Sequence, residues 1–254
     1  MLNFSANLSL LFRELPLLER FAAAAACGFS AVEIQVPYEF PAATLASAAR
    51  EAGVRVVLIN APMGEHFGRA CRAEQSSLFR ADLERAAQYA AALGAPCVNV
   101  LAGCAAPDER AACLAYLAES LSLAAELLAA VAARPLLEVL NPLDLPGYCV
   151  GDFELAAQLL PRCDARVGLQ FDVYHAARCG LDPVAAFTRH LLRTAHVQFA
   201  DCPGRHEPGT GNLDFGRIFD AIGTSGYRGW VGAEYHPTGA TAASLAWLRP
   251  TAQG

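Results

Sequence analysis

Lysine is absent from this chain: all 19 basic residues are arginine. That absence excludes lysine Schiff-base chemistry, and with it class I aldolases and pyridoxal phosphate enzymes. It equally excludes the lysine with which a P-loop reaches nucleotide phosphates. Neither a G-x-G-x-x-G dinucleotide fingerprint nor a G-x-S-x-G nucleophile elbow occurs, so no nucleotide cofactor is expected. Basic charge is also scarce, and the net charge of −6 gives no reason to invoke nucleic acid or an anionic membrane as a partner. No apolar run reaches the roughly 18 residues that a membrane span needs. The N-terminus (MLNFSANLSL) lacks the basic region and cleavage pattern of a signal peptide, so a soluble, cytoplasmic protein is expected. Nine cysteines fall singly, at 27, 71, 97, 104, 113, 149, 163, 179 and 202, with no C-x-x-C pair. In Ala- and Leu-rich surroundings they read as small apolar side chains rather than a disulfide framework or zinc knuckle.

What remains is a chain of 254 residues, 54% hydrophobic and 17% charged, ordinary in length for one α/β barrel. Short β-branched runs alternate with longer Ala/Leu helical stretches, without a linker-like break. Strands are expected at 2–6, 31–35, 54–59, 97–101, 136–140, 167–172, 195–199 and 231–235. Helical periodicity covers 14–26, 42–52, 74–93, 108–132, 152–160, 182–193, 214–223 and 241–248. Gly28, Gly53, Gly94 and either Gly223 or Gly226 stand where helices end, and Asp152 and Asp214 where they begin. Eight alternations favour a single-domain (β/α)8 TIM barrel over residues 1–254, with an open doubly wound sheet as the alternative.

Four apolar segments in the C-terminal half end in one acidic or amide side chain: Glu138, Asp172, Gln198 and Glu234. In a parallel barrel such strand-end side chains face the active-site mouth. Three carboxylates converging there repel one another by several kcal/mol unless a cation or protons compensate. A hard divalent ion with oxygen ligands resolves this, Gln198 adding a neutral carbonyl oxygen. His175, on the loop expected after strand six, and Arg205, after strand seven, are suited to hold a substrate carboxylate or carbonyl oxygen. Gly209-Thr210-Gly211 reads as a tight active-site loop rather than a phosphate cradle. Glu33 ends a strand and is a further candidate for the mouth; His196 alternates with Gln198 and shares its face. His66 sits in a loop.

These residues lie in motifs that resemble the hydroxypyruvate isomerase family of the xylose isomerase-like TIM barrels. FSANLSLLF, LLEVLNPLDLPG, QFDVYH, HVQFADCPGRHEPGTG and GWVGAEYHP carry the likeness in order, nearly end to end. The resemblance implies a metal site of Glu138, Asp172, Gln198 and Glu234, the two glutamates doubling as the acid/base pair. It also implies substrate-contacting or supporting roles for Asn60, Asp144, His175 and Arg205, with Glu207 adjacent. The implied reaction interconverts hydroxypyruvate and tartronate semialdehyde by proton transfer, with Mg²⁺ or Mn²⁺ as the expected ion and Zn²⁺ or Co²⁺ as alternatives. The loop APMGEHFGRACRAEQ is shorter than in typical members and lacks a tryptophan near His66, and Val139 and Pro142 replace the usual proline and histidine. Those departures keep open a 2-oxo-tetronate isomerase or ketose 3-epimerase. An abasic-site endonuclease would need several histidine ligands and a basic face, and a non-catalytic barrel would not need all four ligand-type residues. Self-association is left open.

Overall fold

The computed structural model describes residues 2–248, so Met1 and residues 249–254 of the expected domain lie outside it. Among the described residues, eight parallel strands close into one barrel. They are β1 (Asn3–Asn7), β2 (Ala31–Ile34), β3 (Arg55–Asn60), β4 (Cys97–Asn99), β5 (Arg134–Glu138), β6 (Gly168–Asp172), β7 (Thr194–Phe199) and β8 (Trp230–Ala233). The barrel closes where Phe4 and Ser5 pair with Val231 and Gly232. Around it run α1 (Leu17–Ala26), α2 (Ala42–Ala52), α3 (Ser76–Leu93), α4 (Arg110–Ala129), α5 (Phe153–Leu159), α6 (Val173–Arg178), α7 (Pro183–His190) and α8 (Phe215–Thr224).

Strand alternation sorts the chemistry. On β6, Leu169 and Phe171 face outward, where Phe171 packs on Phe153 and Phe187, while Gln170 and Asp172 face in. On β7, Phe199 joins an aromatic cluster with Phe4, Phe215, Phe219 and Trp247, whereas His196 and Gln198 point inward. Each such ring pair adds about 0.5–1.5 kcal/mol beyond its buried area, so this cluster helps to hold the β1–β8 seam. Barrels of this kind usually fill their interior with branched aliphatic side chains. Here Ser5, Asn7, Glu33, Asn99, Glu138, Gln170, Asp172, His196 and Gln198 are all buried in it, and the inner lattice is hydrogen-bonded rather than oily.

Asp152, Asp182 and Asp214 cap α5, α7 and α8 by accepting from Leu155, Ala185 and Arg217 N–H groups. Gly53 and Gly94 end α2 and α3 in the left-handed conformation, at φ 69° and 65°.

Element ends shift by up to three residues from the sequence expectation, as at β5 and β8, and some differences carry a structural reason. β4 stops at Asn99, because the chain beyond it turns to bridge Ala102 to Gly68 of the β3–α3 loop. Residues 241–248 form 3-10 turns rather than an α-helix. The segment after β6 is a helix, not a loop, because the Asp172 carboxylate accepts from the Tyr174 and His175 N–H groups and starts α6 at once. Lastly, α4 is long and apolar enough by length and composition to cross a membrane, although no uninterrupted apolar run reaches that length. Its two glutamates, Glu119 and Glu126, interrupt the apolar run, and the helix packs on β5 and α3 in the barrel's outer ring.

Candidate active site

A cavity of about 260 Å³ opens at the C-terminal end of the barrel. Six of the eight expected residues line it: Asn60, Glu138, Asp144, His175, Arg205 and Glu234. Asp172 and Gln198, each 1% exposed, touch residues of the wall: Asp172 Oδ2 lies 3.7 Å from His175 Nε2, and Gln198 Nε2 donates to Glu234 Oε1 at 3.3 Å. Leu10, Met63, Phe67 and Leu101 form the apolar side of the cavity.

The two glutamates are held differently. Glu138 ends β5 and accepts one hydrogen bond, from Asn99 Nδ2 to Oε2 at 2.6 Å. Burial raises its pKa well above the carboxylate range, and the charges of Glu234 and Asp172 push the same way. Glu234, one residue beyond β8, accepts at Oε1 from Gln35 (2.6 Å), Asn7 (3.2 Å) and Gln198. Its Oε2 accepts from the Arg205 guanidinium at 2.7 Å. Burial raises its pKa too, but Arg205 opposes the shift. Asp172 is likewise raised by burial, with Arg205 and the α6 N–H groups opposing.

Beneath this layer lies Glu33, completely enclosed. It accepts from Ser5 Oγ (2.6 Å), Gln198 Nε2 (2.7 Å) and Asn7 Nδ2 (3.4 Å), and meets His196 Nε2 at 2.8 Å. Burial pushes its pKa up, yet His196 and these hydroxyl and amide donors outweigh burial and the net shift is downward. Gly232 makes the room: a Cβ there would collide with the Glu33 carboxylate. Gln198 directs its N–H groups to Glu33 and Glu234, and its Oε1 accepts from Gln170 Nε2.

His175 is buried, and burial followed by the Arg205 charge lowers its pKa to about 3. The cavity therefore meets a neutral ring. Both carboxylate oxygens of Asp144 are engaged, by Tyr174 Oη and Asn141 Nδ2 on one side and Arg178 on the other. The loop that carries Arg205 is knotted around Asp201, which accepts from the N–H groups of Cys202, Gly209, Gly211 and Leu213. The Arg205 guanidinium lies over the Tyr174 ring. Glu207 bonds Thr238 instead of entering the cavity, and His66 is exposed outside it.

Asn7, Gln35, Asn99 and Asn141, with Ser5 and Gln170 deeper in the barrel, are polar residues that the sequence did not single out. Asn7, Gln35 and Asn99 each close or follow an apolar strand run, the same signal that singled out the four C-terminal residues.

A metal ion suits this donor set. Glu138, Asp172 and His175 each offer a ligand atom within 4.8 Å of the others', so this buried group could hold one. Burial raises the pKa of all three carboxylates, with neighbouring carboxylate charges adding to it, and a divalent ion would offset both.

The chain is 37% identical to 2-oxo-tetronate isomerase of Cupriavidus necator, covering 98% of both sequences. It is 36% identical to hydroxypyruvate isomerase of Escherichia coli, covering 98% of this chain and 99% of the relative. Among solved structures, an AP endonuclease, family 2, from Brucella melitensis superposes with a TM-score of 0.95 at 35% identity, covering 99% of each chain. A family model for xylose isomerase-like TIM barrels matches residues 21–251. The chain belongs to the xylose isomerase-like TIM barrel family.

Proposed function

We propose that this protein is a metal-dependent isomerase that interconverts hydroxypyruvate and 2-hydroxy-3-oxopropanoate. The observation that carries the reading is the unequal pair of buried glutamates lining one small cavity, supported by the isomerase names of the relatives. Glu234, with three amide donors and the Arg205 guanidinium, is held as a carboxylate. Glu138, which accepts a single hydrogen bond and whose pKa burial raises, is the group assigned to return the proton. Glu234 takes a proton from C3 of hydroxypyruvate and Glu138 delivers one to C2, while the hydroxyl proton moves from the C3 oxygen to the C2 oxygen. Glu138, Asp172 and Glu234 would hold a divalent ion, whose charge stabilises the negative oxygen left when the proton departs. Gln198, whose carbonyl oxygen accepts from Gln170 here, would have to turn its amide over to join them. Arg205 and His175 orient the substrate oxygens, and the apolar wall limits water.

A second substrate is favoured by the 37% identity to a 2-oxo-tetronate isomerase, whose substrate would place its longer tail against Met63 and Phe67. The endonuclease reading draws less support, because a net charge of −6 does not suit a phosphodiester backbone.

The test is turnover of hydroxypyruvate and of 2-oxo-tetronates by chelator-stripped protein with and without Mg²⁺ or Mn²⁺. Metal-restored activity, lost in Glu138→Gln and Glu234→Gln, is expected; full turnover in chelator would refute the metal requirement.

A further inference from the structure

His175 presents a question that its position leaves open, since a buried imidazole beside two carboxylates suits either a metal or a substrate oxygen. The hydrogen bonds around it decide between them. Asn141 Oδ1 accepts from the backbone N–H groups of Leu143 (3.2 Å) and Asp144 (3.0 Å). A backbone N–H can only donate, so that atom is the amide oxygen and the other end of the Asn141 side chain is NH2. Its two hydrogens go to Asp144 Oδ2 (3.0 Å) and to His175 Nδ1 (2.8 Å). The Asn141 backbone N–H points at the same Nδ1, at 3.1 Å. Two donors therefore meet at Nδ1, which must be bare, and a neutral ring then carries its hydrogen on Nε2. Among the described residues that buried Nε2 has no hydrogen-bond partner, Asp172 Oδ2 lying 3.7 Å away, and His175 lines the cavity. An Nε2 that bears hydrogen cannot ligate an ion unless that proton leaves, and moving it to Nδ1 would set it against the two donors already there.

We propose that Asn141 is a positioning residue that fixes the tautomer of His175, so that the ring donates Nε2–H to an oxygen of the bound substrate and takes no part in ligating a metal. Asp144 completes the device by fixing the Asn141 amide, with Tyr174 and Arg178 holding Asp144 in turn. The metal ligands are then oxygens alone. The kinetic half of this proposal rests on the isomerase reading above; the tautomer itself does not.

The experiment is long-range ¹⁵N–¹H correlation spectroscopy of protein labelled with ¹⁵N-histidine, the His175 signals being identified by their loss in His175→Gln. A bare Nδ1 and a protonated Nε2 are expected, unchanged when Mg²⁺ is added. A proton on Nδ1, or loss of the Nε2 proton with Mg²⁺, would overturn the proposal. Asn141→Asp keeps the two backbone bonds but puts an acceptor at Nδ1, and should move the proton to Nδ1. Asn141→Ala loses those bonds but leaves the backbone donor at Nδ1, and should keep Nε2–H. In kcat/KM, Asn141→Asp should fall about 10- to 100-fold, and further than Asn141→Ala. A purely structural role predicts the opposite order. Recovery of activity in an Asn141→Asp/Asp144→Asn double variant, which restores the charge count, would assign the loss to charge and overturn the proposal. If the wild type turns over neither hydroxypyruvate nor 2-oxo-tetronates, the isomerase reading fails while the spectrum still decides the tautomer.

Discussion

Gly232→Ala adds a single methyl group, yet it should be among the most damaging small substitutions in the chain. The Cβ would meet Glu33 Oε1, the oxygen that accepts from Ser5 Oγ at 2.6 Å and faces His196 Nε2 at 2.8 Å. Glu33 has nowhere to retreat, because its other oxygen is held by Gln198 and Asn7. Displacing Oε1 weakens two bonds to a buried charge, each worth about 1.5–3 kcal/mol. That sum agrees with the about 3–5 kcal/mol that follows breaking a buried pair. We expect a loss of about 3–5 kcal/mol in urea denaturation, and a melting temperature lower by about 10 °C at the roughly 2–4 °C per kcal/mol usual for this chain length. A double-mutant cycle isolates the cause. In a Glu33→Ala background the same methyl enters open space, so its cost should shrink by about 2 kcal/mol or more. Equal costs in the two backgrounds, or a wild-type cost below about 1 kcal/mol, would refute the reasoning.

Gln35→Ala removes the 2.6 Å donor to Glu234 and should lower kcat about 10-fold with little change in KM, as steady-state kinetics would show. His190 is held neutral by burial, which lowers its pKa from 6.5 with Arg189 acting the same way. As pH falls below 6.5 the unfolded chain takes up a proton that folded His190 resists, so stability declines on acidification. His190→Asn should flatten that decline between about pH 6.5 and 5 in urea melts, and an unchanged slope would contradict the assignment.

Glu138, Asp172, Gln198 and Glu234 were legible as a group because each ends an apolar run, and a parallel barrel brings strand ends together whatever the loops do. The eight strands were legible for the related reason that their outward residues, such as Phe171 and Phe199, need covering helices. Hydrogen-bond direction was not legible. Nothing in the order HVQ says that Gln198 sends its N–H groups down to Glu33, since that depends on Ser5, Asn7 and Gly232 from distant strands. The short helix α6 escaped notice because its cap, Asp172, also reads as a strand-end ligand. Asn7, Gln35 and Asn99 escaped because amides ending strands look like ordinary turn residues until the carboxylates they serve are in place. The substrate remains a matter of the cavity wall, where Met63 and Phe67 come from the irregular β3–α3 loop.

The division of labour between the two glutamates is the central claim, and deuterium wash-in tests it directly. Hydroxypyruvate incubated in D2O with metal-loaded wild-type protein should acquire deuterium at C3, followed by ¹H NMR. Glu138→Gln should abolish isomerisation yet retain C3 exchange, because Glu234 still removes the proton. Glu234→Gln should lose both. Retained C3 exchange in Glu234→Gln, or its loss in Glu138→Gln alone, would contradict the assignment.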